Sequence, residues 1–84
     1  MIVLPSGFSV DIGSDQEHER LVADIYFRNQ YVCTVSDETT PNQFEFEFNP
    51  SARDAATPIR RCPLNPLLET LSAAAERLKS MTDI

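Results

Sequence analysis

Alternation of apolar and polar positions is the strongest pattern in the first half of the chain. In the segment NQFEFEFNP, phenylalanines at 44, 46 and 48 alternate with Glu45 and Glu47. A strict period of two is typical of a β-strand with one buried and one solvated face. Similar runs, separated by glycine, proline or polar turns, occur three more times. The pattern predicts four strands, at about residues 8–12, 21–27, 31–35 and 44–48.

The second and third strands lie close enough in sequence to form a hairpin. Its register is limited by the alternation of side chains between the two faces of each strand. A three-residue loop, 28–30, would place Phe27 opposite Tyr31 and Ile25 opposite Cys33. A two-residue loop at the asparagine and the glutamine would instead set apolar side chains against a mixture of apolar and polar ones. We favour the three-residue loop because it gathers more apolar surface on one face. Its central asparagine is suited to the left-handed conformation.

The C-terminal segment changes to a helical period. Apolar residues of LNPLLETLSAAAERLKSM recur every three or four positions, which predicts a helix over about 65–81. Asn65 suits the N-cap and Pro66 the first helical position. A connecting loop, 49–63, joins the last strand to this helix. The apolar residues expected to face the sheet are Leu64, Leu67, Leu68, Leu71, Ala74, Ala75, Leu78 and Met81.

These elements predict one α+β domain over residues 1–84, a four-stranded antiparallel meander with one C-terminal helix packed on one face. The three phenylalanines of the last strand are expected beneath the helix, where full burial of a ring contributes about 1.5–3 kcal/mol. Their glutamate neighbours would lie on the opposite, open face. That open face would present Asp11, Val22, Asp24, Tyr26, Val32, Thr34, Glu45 and Glu47.

Composition narrows the classes of partner. The net charge is −6, from 13 acidic and 7 basic residues. This disfavours nucleic acid and anionic membranes, which are bound by clustered Lys and Arg, and favours a basic protein partner. No apolar run approaches the roughly 20 residues of a membrane span, and the N-terminus lacks the basic region of a signal peptide. We therefore expect a cytoplasmic protein, in which Cys33 and Cys62 are buried or partly buried thiols.

The residues that carry chemistry in enzymes are few in this chain. His18 is the one histidine, and its acidic surroundings, DQEHER, are typical of a solvated turn. Carboxylates at 11, 24, 45 and 47 could pair for acid–base work or bind a hard cation, but an open sheet face provides no cleft to tune them. Two isolated glycines make no phosphate-binding loop. We therefore expect no enzymatic activity, no cofactor and no metal.

Protein binding through the open face is the leading hypothesis. A tyrosine among carboxylates offers a large contact area at low entropic cost. The expected partner-binding residues are Asp11, Asp24, Tyr26, Glu45 and Glu47. Three alternatives stay open. They are an ordinary solvated sheet face, a structural or assembly module that forms a homodimer through an exposed face or an edge strand, and a small regulatory enzyme or cation-binding domain with a pocket around the carboxylates.

The order of these segments resembles that of a known group of proteins. LVADIYFRNQYVCTVSDET, followed by FEFEF and PLNPLLETLSAAAERL, is similar in layout to small bacterial immunity proteins of polymorphic toxin systems, over about positions 20–80. The resemblance implies a compact, acidic sheet-plus-helix domain that blocks a toxin encoded beside it by binding. It assigns no individual site residue. The leading hypothesis is thus a non-enzymatic inhibitor that occludes a basic toxin or another basic partner.

Overall fold

The computed structural model describes residues 2–14, 20–40, 43–48 and 59–82, with the backbone alone at 38–40 and 82. These residues form five strands and one helix, so the α+β class and the C-terminal helix are confirmed, whereas the expected count of four strands is wrong. The elements are β1 Ile2–Val3, β2 Phe8–Gly13, β3 Val22–Phe27, β4 Gln30–Thr40, β5 Gln43–Glu47 and α1 Leu64–Thr82.

The five strands form an antiparallel meander in the order β1-β2-β3-β4-β5. The additional strand, β1, pairs Ile2 with Val10 and is only two residues long, too short to show an alternation in the sequence. A tight turn returns the chain to β2, where the Gly7 N–H donates to the Leu4 carbonyl at 3.1 Å. Gly7 has a φ of 96°, a left-handed conformation in which a Cβ would also lie 3.2 Å from the Phe27 ring.

The hairpin between β3 and β4 turns on two residues rather than three. Arg28 and Asn29 have φ values of 50° and 66°, the pair of left-handed residues that matches the twist of a two-residue hairpin. Phe27 therefore lies opposite Gln30, and the expected pairing of Phe27 with Tyr31 is wrong. The left-handed conformation predicted for the asparagine is confirmed.

An irregularity in β4 restores the predicted register farther along the hairpin. Tyr26 pairs with Tyr31, but its neighbour Ile25 pairs with Cys33, so Val32 is an extra residue between them. The expected pairing of Ile25 with Cys33 is thus confirmed. The bulge also places Val32 against the helix-side core instead of on the opposite face. Parity alone does not reveal an inserted residue.

The core lies between α1 and the middle of the sheet. Helix α1 packs across β2, β3 and β4, and the described residues give it no comparable packing against β5. The buried apolar residues of this core are Phe8, Val10, Ala23, Ile25, Phe27, Cys33, Val35, Ala74 and Leu78. Ile59 of the connecting loop packs against this core, and its N–H donates to the Tyr31 carbonyl at 2.9 Å. The rest of that loop, 49–58, lies outside the described residues, as does His18.

Helix α1 begins one residue earlier than predicted. The Leu67 N–H donates to the Pro63 carbonyl at 3.2 Å, so Asn65, the expected N-cap, lies inside the first turn. Pro66 is tolerated there because the first N–H groups of a helix have no partner within it. Three of the apolar residues expected to face the sheet, Leu64, Leu68 and Met81, are instead exposed.

No helical segment of the described residues has the length and apolar character needed to cross a membrane.

The phenylalanines of β5 are the main departure from the predicted core. Phe44 is half-buried against the core, but Phe46 is 70 % exposed and Phe48 is 52 % exposed. The expected burial of all three rings is therefore wrong. A helix is about 10 Å wide, whereas five strands at about 4.8 Å spacing span about 19 Å. One helix centred on β3 cannot cover an edge strand two positions away.

Candidate functional site

Four residues on the face of the sheet away from α1 lie in one row. Asp11 of β2 is opposite Asp24 of β3, Asp24 is opposite Thr34 of β4, and Thr34 is opposite Glu47 of β5. At about 4.8 Å between strands, this acidic row extends about 14 Å across the sheet. Glu45, opposite Ser36, follows on the same face of β5. The register therefore brings the four predicted carboxylates onto one face.

These carboxylates differ in how far they reach solvent. Asp11, Glu45 and Glu47 are exposed, as expected, whereas Asp24 is half-buried. Asp11 directly opposite Asp24 is a like-charge pair, which is unfavourable by itself. A hydrogen bond of 2.6 Å from the Thr34 hydroxyl to Asp24 Oδ1 offsets part of that cost. Within the described part of the chain, no three His, Cys, Asp or Glu side chains are grouped so that they could hold a metal ion.

Tyr26, the fifth predicted contact residue, is not at the surface. It is 1 % exposed, and its ring meets that of Tyr31 edge to face at a centroid distance of 5.9 Å. The Phe48 ring lies 5.4 Å from Tyr31 in the same manner, so this phenylalanine packs on the face opposite to the one predicted. The expectation of an accessible tyrosine is therefore wrong, and so is the expected exposure of Val22 and Thr34. Alternation indicates which face a side chain takes, but not whether that face is covered.

A buried hydrogen-bonded chain connects these residues. The Thr34 Oγ1 group donates to Asp24, and it lies 2.7 Å from the Tyr31 hydroxyl. Since a threonine hydroxyl carries one proton, the Tyr31 hydroxyl must be the donor to Thr34. This order directs both protons towards the Asp24 carboxylate. The chain Tyr31–Thr34–Asp24 thus connects β3 to β4 within the acidic row.

The two cysteines carry free thiols, as the sequence predicts. Burial, and to a smaller degree the neighbouring Cys62 and Asp24, raise the pKa of the Cys33 thiol from 9.0 to about 11. A thiol with so high a pKa is protonated at neutral pH, and the thiolate is the nucleophilic form. Cys33 is therefore a structural residue of the core.

On the helix side of β5 lies an apolar groove that the sequence analysis did not predict. Its volume is about 230 Å³, and it separates β5 from α1. We call this space the β5 groove; its lining residues are Val35, Phe44, Glu45, Phe46, Leu71, Ser72 and Ala75. It exists because α1 stops short of β5 and leaves Phe46 without a helix above it. The signal for it in the sequence was the position of FEFEF as the last strand of a meander, which is an edge.

The apolar surface of the groove continues along the helix. Leu64, Leu68, Leu71 and Ala75 follow the spacing of one helical stripe, and the last two line the groove. Leu64 and Leu68 are both exposed. Strand β5 thus has exposed carboxylates on one face of the sheet and an exposed apolar strip, formed with α1, on the other.

Comparisons of this chain with protein-family models, with curated proteins and with solved structures find no match. The case for a function therefore depends on the geometry around β5.

Proposed function

We propose that this chain is a non-enzymatic binding domain that attaches to a basic protein through β5 and inhibits it by occlusion. The observation that carries the proposal is the composition of β5. Exposed Glu45 and Glu47 lie on one side of it, and Phe46, which is 70 % exposed, lies on the other beside an apolar groove. Contiguous exposed apolar surface bordered by charge marks interaction sites in soluble proteins.

Electrostatics supports a basic partner. The net charge of −6 attracts cationic proteins over a distance of about 8–10 Å at physiological salt. The exposed members of the acidic row, Asp11 and Glu47, together with Glu45, then face the partner at close range. Complementary charges of this kind raise the association rate and fix orientation more than they raise affinity.

The inhibited partner in this proposal is a basic toxin, in keeping with the resemblance to bacterial immunity proteins, or another basic protein. Carboxylates and an aromatic side chain that cover a cationic functional site block access to that site, and no covalent reaction is needed. The proposal places the chain in the cytoplasm, where thiols such as those of Cys33 and Cys62 stay reduced.

Self-association is the second candidate function, and the exposure of Phe46 on an edge strand favours it. Two copies could bury this ring against each other and form a homodimer. Light scattering over a range of protein concentrations separates the candidates. A monomer supports the inhibitor, and a stable dimer that Phe46→Lys dissociates supports the assembly module.

Charge reversal on β5 tests the inhibitor. We would immobilise the wild-type chain, the E45K/E47K variant and the E69K/E76K variant, and identify the proteins that each captures from cells of the source organism. Glu69 and Glu76 are exposed on α1, so the second variant has the same change in net charge away from β5. The wild type and this control should retain a basic protein that E45K/E47K loses.

The affinity of the captured protein should then be measured at low and high salt. The E45K/E47K variant should bind more weakly and with a smaller salt dependence, while its circular dichroism spectrum stays that of the wild type. Equal affinity for all three proteins at low salt would remove the proposal.

A further inference from the structure

We infer that the partner supplies an extended segment that adds to β5 as a sixth strand, and that this segment alternates basic with apolar residues. The inference rests on the proposed function and specifies how binding takes place. It identifies a chemical class of ligand, a basic amphipathic strand, rather than a basic surface in general.

In the described part of the chain, β5 forms an edge of the sheet. Strand order ends at β5, and no strand of the described residues pairs with its outer side. An edge strand presents backbone N–H and C=O groups to which an extended chain can hydrogen-bond, the mode known as β-augmentation. Strand β5 is five residues long, which is about the usual length of a strand, so a partner segment of similar length can pair along all of it.

The side chains of β5 alternate between aromatic and acidic. Glu45 and Glu47 lie opposite Ser36 and Thr34 on the face of the acidic row, and Phe44 and Phe46 alternate with them on the face of α1. Glu45, between the two phenylalanines, also borders the groove. Directly opposite residues on neighbouring strands share a face, so an added strand must alternate in step with β5. Its residues on one face meet Phe46, and those on the other meet Glu45 and Glu47. Apolar side chains suit the first set, and lysine or arginine suits the second.

The β5 groove provides space for the apolar side chains of an added strand. The β5 groove has Phe46 as one wall and Leu71 and Ala75 of α1 as the other. With a volume of about 230 Å³, it has room for aliphatic side chains between the sheet edge and the helix. An added strand would therefore continue the core beyond the reach of α1 and cover part of Phe46.

A second copy of this chain fits the same edge poorly. A two-fold axis perpendicular to the sheet keeps both phenylalanine faces on one side and makes the two β5 strands antiparallel. The register that pairs the full strand then sets Glu45 opposite Glu45 of the copy. The register centred on Phe46 sets Glu45 opposite Glu47 of the copy. Like charges directly opposite are destabilising, so the edge favours a basic strand over itself.

Synthetic peptides test the inference directly. The parent probe is a fluorescein-labelled peptide of about six residues that alternates lysine and valine. Two further peptides have the same sequence, one N-methylated at every valine and the other at every lysine. In a β-strand the N–H groups of alternate residues point to the same edge, so only one of these two peptides loses its hydrogen bonds to β5.

The parent peptide should bind the wild type by fluorescence anisotropy. One methylated peptide should bind like the parent, and the other should bind at least about tenfold more weakly. The E45K/E47K variant should bind the parent at least about fivefold more weakly than E69K/E76K does. Amide hydrogen exchange along β5 should slow when the parent is bound.

Several results would overturn the inference. These are no binding of the parent, equal binding of the two methylated peptides, or unchanged exchange along β5. In any of these cases, loss of the captured basic protein by E45K/E47K would still support the proposed function, with docking through side chains alone. A wild-type dimer that the parent peptide does not dissociate would assign the edge to a second copy instead.

Discussion

At the scale of single residues, two neighbouring buried hydroxyls on β4 differ in their hydrogen bonding. Thr34 and Ser36 are both buried on the face away from α1. Thr34 accepts from Tyr31 and donates to Asp24, whereas no described residue forms a hydrogen bond with Ser36 Oγ. Because burial of a polar group is favourable only when it is hydrogen-bonded, these two positions should respond differently to loss of the hydroxyl.

The substitutions Thr34→Val and Ser36→Ala test this difference. Thr34→Val keeps the shape but removes the donor to the Asp24 carboxylate, and it should lower the free energy of unfolding by about 1–3 kcal/mol. Ser36→Ala removes a hydroxyl that makes no described bond, and it should change stability by less than about 0.5 kcal/mol or raise it. Urea unfolding of the three proteins provides the comparison. Equal losses would refute the hydrogen-bonded chain.

Residue parity predicted the face of most side chains but not their exposure. It placed Asp11, Asp24, Glu45 and Glu47 together, and the observed register does the same. It failed where exposure depends on a partner that the pattern does not include. Tyr26 is covered by neighbours on its own face, and Phe46 is uncovered because the helix is too narrow.

At the scale of elements, the helical spacing of apolar residues predicts where α1 lies in the sequence but not which of its leucines are buried. The helical spacing predicted the element to within one residue at each end. It treated the leucines at 68 and 78 alike, yet Leu78 is 1 % exposed in the core and Leu68 is 51 % exposed beside the β5 groove. Which of the two leucines is buried depends on how much of the sheet the helix covers. That coverage depends on tertiary packing and cannot be deduced from the helical spacing.

Matched truncations on α1 should separate the two leucines. Leu78→Ala leaves a cavity among Phe8, Ile25 and their neighbours, and it should cost about 2–5 kcal/mol in the free energy of unfolding. Leu68→Ala removes a side chain that is half in water and should cost less than about 1 kcal/mol. The two substitutions change the intrinsic helix propensity equally, so thermal or urea unfolding compares the burial of the two side chains. Similar costs would mean that α1 lies elsewhere on the sheet.

At the scale of the whole molecule, stability should fall in alkaline solution because of Cys33. Its pKa is about 11 in the folded chain against 9.0 for an unperturbed thiol. Between these values the unfolded chain loses the proton and the folded chain keeps it, so ionisation favours unfolding. The free energy of unfolding should be insensitive to this thiol below pH 9 and should decline by up to about 2–3 kcal/mol as pH rises to 11.

Cys33→Ala provides the control for that decline. The variant is expected to be less stable at every pH, but its loss between pH 9 and pH 11 should be smaller than that of the wild type. The other ionisable groups are the same in both proteins, so the difference between the two curves reports on the thiol. Parallel curves would show that Cys33 already ionises in the folded chain.

The unequal cover of the sheet has a consequence for how this protein can change. The core beneath α1 includes Phe8, Ile25 and Leu78 and is contacted by Phe44, but it does not include Phe46, so positions 45–47 can vary with less penalty to folding than Phe44 can. If β5 is the binding strand, as we propose, binding specificity and stability depend on largely separate parts of one small chain. Under the proposed function, new residues at positions 45–47 would direct the domain to another ligand while the rest of the sequence stays the same.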